Sequence, residues 1–102
     1  MTDEQFLSEV KRTVLAIDPQ AEVWLFGSRA RGDSRPDSDW DFLIFTQNDL
    51  SGGKRWLFSD EFAELGIETG QAISSIVYPK QNRSKYAVTE LYQNVVAEGR
   101  QL

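Results

Sequence analysis

Residues 26–45 read FGSRARGDSRPDSDWDFLIF, and the fold turns on how the two ends of this stretch relate. Leading into its start, AEVWLFG (21–27) is a short apolar run closing on a glycine, the pattern of a buried strand. At its end, DWDFLIFT (39–46) is a second strand. The unbroken apolar run Phe42–Phe45 predicts burial on both faces, as in a sheet with a helix packed on it. Between the strands stand a Gly-Ser turn, three arginines and four aspartates. Two of those aspartates, Asp39 and Asp41, are separated by a single residue at the entrance of the second strand.

The flanking chain supplies helices. Thr2 followed by Gln5 has the form of a capping box, and Asp3 and Glu4 suit the positive start of a helix. Phe6, Leu7, Val10, Val14 and Ile17 recur at helical spacing until Asp18-Pro19 stops them. NDLSGG (48–53) reads as loop. KRWLFSDEFAELG (54–66) reads as helix, with Phe58, Phe62 and Leu65 as its apolar side. Ile67-Glu68-Thr69 is compatible with a short strand of its own, whereas Ile73–Tyr78 is a β-branched run closed by Pro79. VTELYQNVVAEGRQL (88–102) reads as a closing helix with Leu91 and Val95 on one face and Gly99 as its C-cap. The order predicts an α/β or α+β domain over residues 1–102, with a mixed three- to four-stranded sheet packed against helices.

Composition narrows the chemistry. With 102 residues and 40% apolar content the chain is sized for one core. No apolar run approaches the roughly 18 residues that span a bilayer. The acidic start MTDEQFLSEV is unlike a signal peptide, so a cytoplasmic, membrane-free protein is expected. Histidine and cysteine are both absent. This removes Ser-His-Asp chemistry, thiolate and imidazole metal sites, and histidine general bases. A net charge of −5 is unsuited to long nucleic acid, which calls for a basic surface, but leaves room for a local phosphate site.

The loop offers such a site. A glycine at a strand end lets a ligand approach the main chain, and a helical turn over 28–32 would present free N–H groups and the Ser28 hydroxyl to an anion. Arg31, one turn after Ser28, could close on the same anion with its guanidinium fork. On its own a Gly-Ser strand end is a common capped turn; the two aspartates shift the balance. Residues i and i+2 of a strand share a face, so Asp39 and Asp41 converge and repel unless a cation lies between them. Oxygen-only dianionic ligation suits Mg²⁺, which bridges to substrate phosphates. Asp33 and Asp37 suit turn positions. Trp40, between the two acids, should point to the opposite face and into the core.

Taken together, GSRARGDSRPDSDWD (27–41) resembles the signature of minimal nucleotidyltransferases of the DNA polymerase β-like superfamily. The resemblance implies the nucleotidyltransferase fold and a Mg²⁺-dependent transfer of a nucleoside monophosphate, AMP from ATP, to a hydroxyl on a protein or small molecule. It further implies that Gly27, Ser28 and Arg31 contact the triphosphate, that Asp39 and Asp41 hold two Mg²⁺ ions, and that Ser38 orients the strand entrance. Arg29 faces either the phosphate or solvent. Small members of the family pair with a helical HEPN-type toxin and act as its antitoxin; a homodimer is the other partner expected.

One family feature is missing. Active members bring a third carboxylate from a later strand, and the corresponding strand here, AISSIVYP (72–79), carries no acid, with Ser74 or Ser75 at the matching place. Glu68 is the candidate substitute if strand pairing turns it inward, with Glu61 and Glu64 behind it. Two classes follow: a nucleotidyltransferase, or a catalytically weak or inactive nucleotide-binding module that acts through a partner protein.

Overall fold

The computed structural model describes residues Met1–Leu102. Its first helix, α1 (Asp3–Ile17), starts as its sequence dictates: the Gln5 N–H donates to the Thr2 hydroxyl at 3.1 Å, and the Thr2 N–H donates to Gln5 Oε1 at 2.8 Å. Phe6, Leu7, Val10 and Val14 form its buried stripe. The chain continues through β1 (Glu22–Phe26), a short helix α2 (Ser28–Arg31), β2 (Trp40–Thr46), α3 (Trp56–Thr69) and β3 (Ile73–Pro79). A 3₁₀ turn (Lys80–Asn82), α4 (Arg83–Tyr86), α5 (Glu90–Glu98) and β4 (Arg100–Gln101) complete it. No helix is long and apolar enough to cross a membrane.

The strands form one mixed sheet in the order β3-β2-β1-β4. β1 pairs antiparallel with β2 and β4, while β2 and β3 run parallel. Central β2 is buried on both faces, because its alternating side chains serve two cores. Phe42 and Ile44 join Val23, Leu25 and the apolar stripes of α1 and α3. Leu43 and Phe45 pack with Val95 of α5 on the other face. Trp40 lies on the α1 side, 3% exposed, with its ring 4.7 Å from Phe6 and its indole N–H donating to Gln71 at 3.0 Å.

Two segments depart from the sequence expectation. Helix α3 runs on through Ile67-Glu68-Thr69 to Gly70, so no separate strand forms there. After α5 the chain adds β4, an edge strand paired with Trp24 and Leu25 of β1.

Asp18 does more than end α1. Its carboxylate, 3% exposed, accepts from the Thr46 hydroxyl (2.6 Å), the Gln47 N–H (2.8 Å) and the Gln20 N–H (2.9 Å), fastening the helix end to the end of β2. Burial pushes its pKa up, but these hydrogen bonds and the Lys80 charge outweigh burial and hold it below the ordinary value of 3.8. The charged form therefore stabilises the fold fully above that value, and its contribution is lost as pH falls through the lower native value. Asp18→Ala should cost about 2–3 kcal/mol by stranding the Thr46 and Gln47 donors. Denaturant unfolding at pH 7 and pH 3 checks this: the gap between wild type and variant should narrow on acidification.

Candidate active site

The site begins where β1 ends. Gly27 adopts φ 76°, ψ −159°, a conformation open essentially only to glycine. A Cβ placed on it would lie 2.5 Å from an Asp41 carboxylate oxygen. The sheet register explains the proximity, since Phe26, the residue before it, is the antiparallel partner of Asp41. The missing side chain is thus the space that the carboxylate occupies. Gly27 also opens α2: its carbonyl accepts from the Ala30 and Arg31 N–H groups, each at 3.1 Å. The N–H groups of Ser28 and Arg29, at the start of this single turn, are left without intrahelical acceptors.

The two arginines of that turn do different things. Arg29 points inward, donating to the Ser38 carbonyl (3.0 Å) and the Pro36 carbonyl (3.1 Å), with its guanidinium 4.4 Å above the Trp40 ring. Half-buried, it clamps the loop between α2 and β2, its guanidinium taken up by the two carbonyls and the Trp40 ring. Among the expected phosphate contacts it is the one the structure directs elsewhere. Arg31 lies on the open side, 3.3 Å from Asp33 and 3.8 Å from Glu98 of α5, and close enough to Asp41 to favour its charged form. Ser38 organises the turn before β2: its hydroxyl accepts from the Arg35 N–H at 2.8 Å, and its own N–H donates to the Arg35 carbonyl at 3.0 Å.

Asp39 is exposed and Asp41 half-buried at the entrance of β2. Burial raises the Asp41 carboxyl above its ordinary value, the Asp39 charge raises it further, and Arg31 opposes both. No hydrogen bond from the protein offsets this. A half-buried carboxylate, pressed by a second one and lacking a protein donor, is a donor set that a hard divalent cation would relieve. The residues present therefore fit Mg²⁺ as ligands, though as two carboxylates only: no group of three or more Asp, Glu, His or Cys side chains converges anywhere in the fold.

The place of a third acid is taken by serine. Across the parallel ladder Asp41 is paired with Ser74 of β3, which is exposed on the same face. A serine hydroxyl neither supplies the charge nor accepts a proton effectively at neutral pH. Glu68 does not replace it. It sits in the last turn of α3, on the α1 side of the sheet, lining a groove with Glu9, Arg12 and Glu64. Asp41, like Leu43 and Phe45, faces the other side. Glu61 and Glu64 share the position of Glu68, for the same reason: α3 buries Phe58, Phe62 and Leu65 against the α1-side core and carries its acids with it. Glu98 was not marked by its sequence context; the packing of Val95 beneath α5 is what brings it to Arg31.

A family model described as a nucleotidyltransferase domain matches residues 5–94. Three solved structures are similar over nearly all of this chain. One is a toxin–antitoxin with AMP-PNP (23% identity, TM-score 0.66, 98% of this chain and 72% of that one). Another is a tri-AMPylated Shewanella oneidensis HEPN toxin in complex with MNT antitoxin (19% identity, TM-score 0.66, 98% and 71%). The third is a mutant of the toxin–antitoxin MntA–HpeT (19% identity, TM-score 0.63, 99% and 72%). At these identities the likeness is one of fold. No curated protein is significantly similar in sequence.

Proposed function

Because the chain belongs to the nucleotidyltransferase domain family, we propose that it holds a magnesium–nucleoside triphosphate between the Gly27–Ser28 turn and the Asp39/Asp41 pair and transfers AMP from ATP to a protein hydroxyl. The observation that carries this reading is the contact of Gly27 with Asp41. This proximity brings the free N–H groups that follow Gly27 close to the Asp41 carboxylate, at the ends of two neighbouring strands, and so supports the reading.

In this reading the acceptor oxygen forms a bond to the α-phosphorus as the bond from that phosphorus to the bridging oxygen breaks. Pyrophosphate leaves with the electron pair, and the hydroxyl proton passes to solvent. The Ser28 and Arg29 N–H groups and the Ser28 hydroxyl orient the triphosphate. Arg31 turns from Asp33 and Glu98 to the phosphate oxygens, and Arg29 and Ser38 hold the loop in shape around them. Two Mg²⁺ ions held by Asp39 and Asp41 would neutralise the triphosphate charge and favour displacement at phosphorus.

The structural relatives named as toxin–antitoxin pairs support the choice of acceptor: a helical HEPN-type toxin, with this chain as antitoxin. The test is pyrophosphate release from Mg-ATP together with a gain of nucleotide mass on a co-purified HEPN partner. Neither event, with ATP binding intact, would leave the second reading, a nucleotide-binding module of little or no turnover. Ser74 beside Asp41 and the absence of a third acid are the observations in its favour.

The arginines separate binding from folding. Arg31→Ala should weaken Mg-ATP binding about 10- to 100-fold, as expected for one charge-assisted phosphate contact of about 1.5–3 kcal/mol, with Tm unchanged. Arg29→Ala should lower Tm, because the Ser38 and Pro36 carbonyls and the Trp40 face lose their partner. Calorimetric titration and thermal melts of both variants check this, and equal losses of Tm would contradict it.

A further inference from the structure

The two edges of the sheet are protected very differently. β4 is two residues long, carries Arg100, and is tied to α1 by the Arg100–Glu4 pair at 2.7 Å. β3 is seven residues long, pairs with β2 alone, and has no charged side chain from Ala72 to Pro79. Edge strands are normally blunted by charge, bulges or short length, and this one has none of these over Ile73–Val77.

Its free groups can be assigned. The Trp40 N–H donates to the Ala72 carbonyl at 2.9 Å, so even-numbered residues of β3 direct their main-chain groups to β2. By the alternation of a parallel ladder, Ile73, Ser75 and Val77 direct theirs outward. Beside this edge runs a groove walled by Trp56, Tyr78 and Tyr86, with Ser75 and Val77 on its strand side. Trp56 is 62% exposed, and Tyr86 is stacked on Tyr78 at 4.0 Å, fixing that wall. Arg55 is the one charged residue in the lining and has no ion-pair partner, in a chain of net charge −5. The edge leads to the site described above, since Ser74, next to Ser75, is paired with Asp41.

We propose that the β3 edge is the acceptor-docking surface, taking an extended, acidic segment of the partner protein as a fifth strand whose hydroxyl residue aligned with Ser74 is presented to the Asp39/Asp41 pair. This rests on the nucleotidyl-transfer reading. Main-chain pairing with Ile73, Ser75 and Val77 supplies affinity, the Trp56 wall an apolar anchor, and Arg55 the charge preference. An added strand lies about 4.8 Å from β3, hence roughly 10 Å from Asp41, on whose face its Ser74-aligned side chain stands.

The probe is a short amide-capped peptide of alternating valine and threonine with one central tyrosine and glutamates at one end. Adding it to the full chain without nucleotide should slow amide exchange at Ser75 and Val77 and leave β4 unaffected. With Mg-ATP the peptide should gain the mass of an adenylyl group, AMP less one water. Trp56→Ala, and Ser75→Pro, which removes an outward N–H and none of the donors directed to β2 while also fixing φ at that position, should each cut labelling about tenfold, the scale of losing one anchor, with ATP affinity unchanged. Labelling undiminished in both variants, or no protection of Ser75 and Val77, would overturn the proposal while leaving the transferase reading in place. A dimer that Ser75→Pro converts to monomer would also overturn it, by assigning the edge to a second copy. Failure of the unmodified chain to bind Mg-ATP would instead remove the transferase reading, and the exchange result would still decide whether a strand docks on β3.

Discussion

The Asp39→Asn/Asp41→Asn double variant is expected to lose Mg²⁺-dependent ATP binding and to transfer AMP at least about a thousandfold more slowly, the scale of several kcal/mol of transition-state charge stabilisation. It should nevertheless remain folded. Asp41 is raised in the native state by burial and by the Asp39 charge, with only Arg31 opposing. For a carboxyl whose native value lies above its unfolded one, the ionised group opposes folding at neutral pH, and stability rises as pH falls through the raised value. Removing the charge removes that penalty. Solvent screening of this half-exposed pair limits the gain to under about 1 kcal/mol, and Tm in the absence of metal should rise by at most about 4–8 °C. Excess Mg-ATP should reverse the order, stabilising the wild type and leaving the variant unmoved. Thermal melts with and without Mg-ATP, at pH 7 and pH 4.5, test all three statements. A variant less stable than wild type without ligand would mean that the two acids serve the fold.

The parts of this arrangement that were legible in the sequence are those set by local periodicity. Alternation puts Trp40 in the core on the face opposite Asp41, and an unbroken apolar run identifies β2 as a strand with two buried faces. What escaped depended on long-range packing. Arg29 and Arg31 are two residues apart on a single helical turn, and nothing in SRAR (28–31) says which of them meets Ser38, nine residues beyond the first and seven beyond the second. Asp18 resembles any helix stop until Thr46 is folded against it. Ile67 is β-branched and so suggested strand, yet it is 84% exposed on a helix that Phe58, Phe62 and Leu65 hold in place. Glu68 was misplaced with it, because one further turn of helix keeps it on the α1 side of the sheet. β4 carries no apolar signal, since both of its residues are exposed; it exists because Leu25 and Trp24 have main-chain groups to satisfy at that edge.

Gly27→Ala should be the most damaging single substitution in the loop, and for two separable reasons. The first is conformational: φ 76° with ψ −159° lies in a region that side-chain-bearing residues avoid, at a cost of about 1–3 kcal/mol. In a chain this size that corresponds to a fall in Tm of roughly 4–24 °C. The second is steric, since the new Cβ would meet an Asp41 carboxylate oxygen at 2.5 Å. The Asp41 side chain can swing away into the open site, so the clash is relieved by displacing the proposed metal ligand and not by unfolding the sheet. Loss of Mg-ATP binding should therefore exceed what the stability loss explains, persisting at temperatures where the variant is fully folded. Gly27→Ala/Asp41→Ser discriminates the two causes. Measured against Asp41→Ser alone, which accounts for the lost Asp41 charge, the added Gly27→Ala should cost less Tm than it costs the wild type, because the clash is gone, and none of the Mg²⁺-dependent binding should return. If Gly27→Ala instead cost the same in both backgrounds, the backbone conformation alone would set the requirement for glycine, and the contact with Asp41 would be incidental to it.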